Sequence, residues 1–187
     1  MLDQKLTPDE NSVSPRPTAV RYGLILGLLS TIATLGMTTM DMVDYTGEKS
    51  NILSNLVTWG ITIGALYMAI NEHKTKDLGG FISLGRCVKL GLLIGLISGI
   101  IGAIGMTIYF QVIAPDFLAN VAESMRDKFE EQGMSGDQLE SAMGVMKIMM
   151  SPTSFAIIGI VFSVIFDVIF ALILGLFMKK EAATPFN

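Results

Sequence analysis

The chain has 187 residues, of which 51% are hydrophobic and only 16% charged, and its formal charge is −4. So little charge excludes an ordinary soluble domain, and the acidic balance argues against nucleic acid as a partner. One cysteine excludes an internal disulfide and a multi-cysteine metal site.

Residues 1–18 are polar and carry Pro8, Pro15 and Pro17, which reads as a disordered tail. The uncharged run Tyr22–Met40 follows. Like three later runs, it is long enough to cross a bilayer of about 30 Å as a helix rising 1.5 Å per residue. It is too long for the apolar core of a signal peptide and lacks a small-residue cleavage site, so it reads as a retained first span, 19–40. An acidic turn, with Asp41 and Asp44, leads to a second span over 52–70. The connector 71–80 is short and predicts antiparallel neighbours; its lone His73 lacks ligand partners in the sequence and reads as a solvated loop residue. Phe81–Arg86 then reads as an interfacial approach to the third span, 88–113, with Arg86 and Lys89 reaching back to headgroups. Tyr22, Tyr45, Tyr67 and Tyr109 all fall at span ends, as an aromatic belt requires.

The insert 116–151 reads as an amphipathic helical hairpin lying against the membrane or against the outer ends of the spans. Leu118, Val121, Met125 and Phe129 share one helical face, and Gly133 suits the residue just past that helix. Ser135 with Gln138 has the pattern of a capping box opening a second helix, which stripes Leu139, Met143, Met146 and Met150. Such methionine stripes read as adaptable apolar packing; a soft-metal site for Cu(I) is the sharper but weaker reading, and no cofactor is expected. The fourth span, 154–178, is interrupted by one carboxylate, Asp167, and 181–187 read as a second tail.

Charge orients this pattern. Of the basic residues, Lys5, Arg16, Arg21, Lys74, Lys76, Arg86, Lys89, Lys179 and Lys180 fall on one side and only Lys49, Arg126, Lys128 and Lys147 on the other. The positive-inside rule then places both termini of this multi-pass pattern in the cytoplasm. The fold class expected is an all-α membrane protein, four transmembrane helices with the hairpin between spans three and four.

Two constellations stand out. Small residues recur at spacing four: Gly23 and Gly27, Gly60 and Gly64, Gly91, Gly95 and Gly99, Ala171 and Gly175. They are expected to pack helices within the bundle, with a homo-oligomer interface, best on span three, as the alternative. Asp167 lies near mid-span, where an ionised carboxylate is costly and must be neutral, paired or wet. Counting from the span ends puts Ser98, Thr62 and Thr31 near its depth, with Ser30 and Thr58 close by, as a candidate polar layer. Cys87 reads as a buried, inert thiol, with acylation the sharper alternative.

Gly79-Gly80-Phe81-Ile82-Ser83-Leu84-Gly85 before a glycine-rich span, Pro115-Asp116-Phe117, Glu130-Glu131-Gln132-Gly133-Met134-Ser135 and the methionine-rich run to Ser151-Pro152 together resemble the bacterial DUF4199 membrane-protein family. The resemblance covers nearly all of residues 18–180 and implies four spans with a hairpin insert. It implies no activity, cofactor or catalytic residue. No nucleophile triad, phosphate loop or metal-spaced cluster occurs in the chain, so a non-enzymatic role is expected. The leading expectation is a structural or interaction protein with the hairpin as the element that binds a protein partner. The alternative is a small oligomeric transporter or channel component built around Asp167.

Overall fold

The structure is a computed structural model that describes residues 10–46 and 50–180. It contains six α-helices: α1 (Arg16–Thr39), α2 (Ile52–Glu72), α3 (Leu84–Ile108), α4 (Phe117–Glu131), α5 (Asp137–Met149) and α6 (Pro152–Met178). α2 and α3 each run on through one π-helical turn, at His73–Asp77 and Tyr109–Ile113. With those turns included, α1, α2, α3 and α6 are long and apolar enough to cross a membrane. The chain is thus an all-α, multi-pass membrane protein.

The helix starts follow from local chemistry. α1 and α6 both carry proline in the first turn, where the missing N–H would have had no partner. Ser151 also accepts a hydrogen bond from the Ser154 N–H at 3.3 Å, and Ser83 caps α3 by accepting from the Arg86 N–H at 3.2 Å. At the end of α4, Gly133 takes a φ of +86°. Its N–H bonds the Glu130 carbonyl and that of Met134 bonds the Phe129 carbonyl, both at 2.9 Å, which closes the helix as a Schellman turn. The capping box expected at Ser135 does not form. Gly136, at φ +55°, turns the chain instead, and α5 begins at Asp137 with no side-chain cap. Asp137 and Glu140 in its first turn interact favourably with the helix dipole.

The four long helices form a ring in which α3 packs on both α1 and α6, while α2 closes the far side against α1 and α6. Lipid supplies no hydrophobic drive between helices, so close backbone approach decides the tight seams. A Cβ at Gly95 would stand 2.9 Å from both the Asp167 Cβ and the Val164 Cα on α6. One at Gly23 would meet the Ile97 Cβ at 2.8 Å, and one at Gly175 the Cys87 Cβ at 2.9 Å. Gly27, Gly91 and Gly99 sit in equally close seams. The glycine row on α3 is therefore occupied inside the chain and is not a free face for self-association. Gly60 and Gly64 differ: nothing lies within 4 Å of a Cβ at either, so the packing expected of them is absent from the bundle.

Packing is uneven along the ring. Leu26, Leu66, Ile70, Cys87, Leu90, Ile94 and Ala171 form a sealed core in the half where α1 begins and α6 ends. That end is bound up further by polar contacts. Ile82 and Lys180 exchange two backbone hydrogen bonds, Lys74 donates to the Met178 carbonyl at 2.7 Å, and the Tyr22 hydroxyl donates to Glu72 at 2.6 Å.

Four expectations change here. Residues 10–15 are packed rather than part of a loose tail: the Glu10 carboxylate accepts from the Ser83 N–H at 2.6 Å, and Arg86 donates to the Val13 carbonyl. Arg86 is accordingly buried and does not reach out to headgroups. The rest of that expected tail, 1–9, and the tail 181–187 lie outside the described residues. His73 is fully buried rather than solvated, because the π-helical turn winds it inward. Its Nδ1 lies 2.7 Å from Asp77 Oδ2, which also accepts from the Thr18 hydroxyl. Lastly, Tyr22 and Tyr109 are buried at their span ends and face protein, while Tyr67 is half exposed.

The hairpin α4–α5 sits at the opposite end. It buries only Val121 and Leu139, and Lys128 anchors it by donating to the Thr46 carbonyl at 2.9 Å. Aromatic rings join it to the bundle. Tyr45 meets Phe117 edge-on at 5.3 Å, and Phe110 stacks on Phe117 at 5.6 Å. Burial pushes the Tyr45 phenol above its ordinary range, so it keeps its proton at neutral pH and shares a 3.2 Å hydrogen bond with Thr38.

The two glycine environments give a paired prediction. Gly95→Leu must push α3 from α6 and is expected to cost about 1–3 kcal/mol, as overpacked interiors do. Gly60→Leu is expected to stay within about 0.5 kcal/mol of the parent or to gain slightly. Unfolding of the detergent-solubilised protein in mixed micelles measures both.

Candidate functional site

Above the sealed core, the ring opens into a cavity of about 290 Å³ bounded by all four long helices. Its lower edge is set by Leu26 on α1, Ser98 on α3, and Asp167 and Phe170 on α6. Towards the hairpin it runs up to Phe110, Pro152 and Phe155. Each helix contributes hydroxyls: Ser30, Thr31 and Thr34 from α1, Thr58 and Thr62 from α2, Ser98 and Thr107 from α3, Ser163 from α6.

Asp167 is placed by the glycine seam. Gly91 and Gly95 let α6 approach so closely that the aspartate Cβ packs on bare backbone, and the residue is only 3% exposed. Ser98 donates to its Oδ2 at 3.3 Å. Ser163, one turn before Asp167 on the same face of α6, donates to the Gly95 carbonyl at 3.1 Å and stands 3.2 Å from the Ser98 hydroxyl. The second carboxyl oxygen, Oδ1, makes no hydrogen bond to any described residue. Among the described residues the only sealed side-chain nitrogen or oxygen without a partner is His73 Nε2. Oδ1 is therefore not sealed, and the accessible space next to it is the cavity.

Of the residues singled out in sequence, the structure brings Ser98 onto the carboxyl. Thr62 and Thr31 line the same cavity without bonding it; Thr31 instead donates to the Gly27 carbonyl at 2.6 Å. Thr58 likewise donates to the Ser54 carbonyl at 2.9 Å. Sequence reasoning passed over Ser163, although its spacing of four from Asp167 marks it as a neighbour. It also passed over an aromatic wall. Trp59 on α2 lies 6.4 Å from Phe166 and 6.2 Å from Phe170 on α6, centroid to centroid. Phe162, Phe166 and Phe170 stack in turn along α6. The signal was present as phenylalanine at spacing four, which also describes a lipid-facing stripe. Cys87 is buried and free, away from the cavity lining.

Among the described residues Asp167 is the one ionisable side chain lining the cavity. No lysine, arginine or histidine faces it from any of the four helices, so the carboxyl has hydrogen bonding but no counter-charge.

Fold and site together define a class: a four-span helical membrane protein with a hydroxyl-lined interior cavity that ends on a single carboxyl. The chain matches the model of DUF4199, described as a protein of unknown function, over residues 21–180, and belongs to that family. No curated protein and no solved structure matches it.

The cavity can be probed chemically because the single native thiol is buried. In a Cys87→Ser background, Thr34→Cys is expected to react with a small methanethiosulfonate reagent in membranes. Ile94→Cys, in the sealed core, is expected to stay unmodified on the same timescale. Mass spectrometry of the intact protein reads both.

Proposed function

We propose that this protein is a non-enzymatic membrane component that binds a small solute within the bundle and conducts it across the bilayer, with Asp167 as the binding group. One observation carries this reading: the interior is not filled, and the unfilled part ends on a carboxyl oxygen that no protein group satisfies. A carboxyl kept only to hold helices together needs a partner on each oxygen, not a cavity beside it. The sealed half below Asp167 and the open half above it resemble one state of an alternating-access path. Four spans are few for a complete pathway, so the reading includes self-association through a face other than the α3 glycine row.

The charge distribution supports both termini in the cytoplasm, so that the cavity lies in the outward half of the bundle, and the family resemblance supports a bacterial inner membrane. A second reading, the hairpin as a docking element for a protein partner, draws support from α5. Val145, Ile148 and Met149 are exposed on it, and the hairpin buries little of itself in the rest of the chain.

Reconstitution in liposomes tests the leading reading. With a pH-sensitive dye inside and an imposed gradient, wild type is expected to pass protons, alone or with a co-solute, and Asp167→Asn to lose at least about 90% of that flux. The size follows from removing a group worth about 1.4 kcal/mol or more to the conducting step. Equal leak from wild-type, variant and empty liposomes would end the transport reading.

A further inference from the structure

Resting on the solute-binding reading, we propose that the cavity takes a small lipophilic cation, an ammonium carrying an aromatic or short alkyl group, with Asp167 as its counter-charge. Three properties of the lining converge on that chemistry.

The first is the unmatched charge. Asp167 has Ser98 on one oxygen and open cavity at the other, and no basic group lines the space. In a low-dielectric interior an ionised carboxylate gains most from a cation brought to it, and an anionic ligand would be repelled.

The second is the orientation of the hydroxyls. Thr31 donates to the Gly27 carbonyl, Thr58 to Ser54, Thr107 to Ala103 and Ser163 to Gly95. Each hydroxyl has one proton, and these four are directed at backbone. What these side chains have left for the cavity is lone pairs. At these four positions the lining offers acceptors, which suit the N–H or polarised C–H groups of an ammonium, while Ser30, Thr34 and Thr62 keep hydroxyls free to accept or donate.

The third is the aromatic wall. Trp59, Phe166 and Phe170 all line the cavity, and Asp167 lies between the last two in the chain. Ring faces attract cations, most strongly when water is excluded, and also pack the apolar part of such a ligand. A volume of about 290 Å³ is enough for a single ring with a substituted ammonium. The approach is favourable too: among the described residues the hairpin end carries nine carboxylates against Arg126, Lys128 and Lys147.

The protein carries its own reporter, since Trp59 is its single tryptophan and lines the site. The full chain in nanodiscs is titrated with benzyltrimethylammonium and, separately, with its uncharged carbon isostere neopentylbenzene, following Trp59 emission. The ammonium is expected to change the emission saturably and to bind at least about tenfold more weakly in Asp167→Asn, the scale of one charge-assisted contact. Asp167→Glu is expected to recover part of the loss, and the isostere to bind both parent and Asn variant alike. A titration of the parent alone gives the same answer without a variant. None of the four helices presents another ionisable group to the cavity, so protons compete with the ammonium at Asp167 only. Ammonium binding therefore weakens as pH falls, and isostere binding does not. Equal, pH-independent binding of both probes would overturn the cation assignment and leave a solute-binding cavity. No saturable response to either probe would overturn both.

Discussion

The bundle depends on one contact, the backbone-close approach of α3 and α6 along Gly91, Gly95 and Gly99. It sets how near α6 can come, and so how deeply Asp167 is buried and which hydroxyls reach it. Because α3 also receives Gly23 and Gly27 of α1, it serves as the common wall of two tight seams. α2 has no such seam. It leans on its neighbours through Ala65, Leu66, Ala69 and Ile70 at one end and through Trp59 nearer the other. The ring therefore closes fully only where those side chains meet.

That asymmetry produces the site. The half where α1 begins and α6 ends is filled and then bound up by the Glu10–Ser83, Tyr22–Glu72 and Ile82–Lys180 contacts, so it behaves as a rigid base. The other half keeps its space because threonine and serine line it where leucine and isoleucine would have filled it. Thr31, Thr58 and Thr107 need no ligand to be satisfied, since the helix backbone accepts their protons. A polar cavity in a membrane helix bundle can thus persist with much of its lining bonded to its own helices, and the one ionisable group left incomplete among the described residues is the carboxyl at its base.

How much of this could be read in the sequence varies with the range of the physics involved. Span existence, the hairpin and the Gly133 helix end were legible because hydropathy runs and a positive-φ glycine are local properties. That Ser98 lies near the depth of Asp167 was legible because helical rise converts position into depth, but Ser30, Thr31, Thr58 and Thr62 shared that depth and do not bond it. Facing direction was not. Gly60 and Gly64 share the spacing of Gly91 and Gly95, yet one pair looks onto open space and the other onto backbone. His73 looked solvated among Glu72 and Lys74, and a single π-helical turn carried it inside. Arg86 turned inward because residues 10–15 supply an acceptor from 73 positions away in the chain, a contact no local pattern signals. Rotation about a helix axis and long-range contacts are decided by tertiary packing, and those were the sources of most differences; the capping box at Ser135 failed locally, where Gly136 turns the chain at positive φ.

The account stands or falls on the space beside Asp167 in the protein embedded in lipid. An experimental structure in nanodiscs at a resolution that shows ordered solvent measures it directly. The account predicts density for water or a bound solute within hydrogen-bond distance of the Asp167 Oδ1, enclosed by Trp59, Phe166 and the α1 threonines. Collapse of α2 onto α6, with those aromatic side chains filling the cavity and a protein donor on Oδ1, would contradict it.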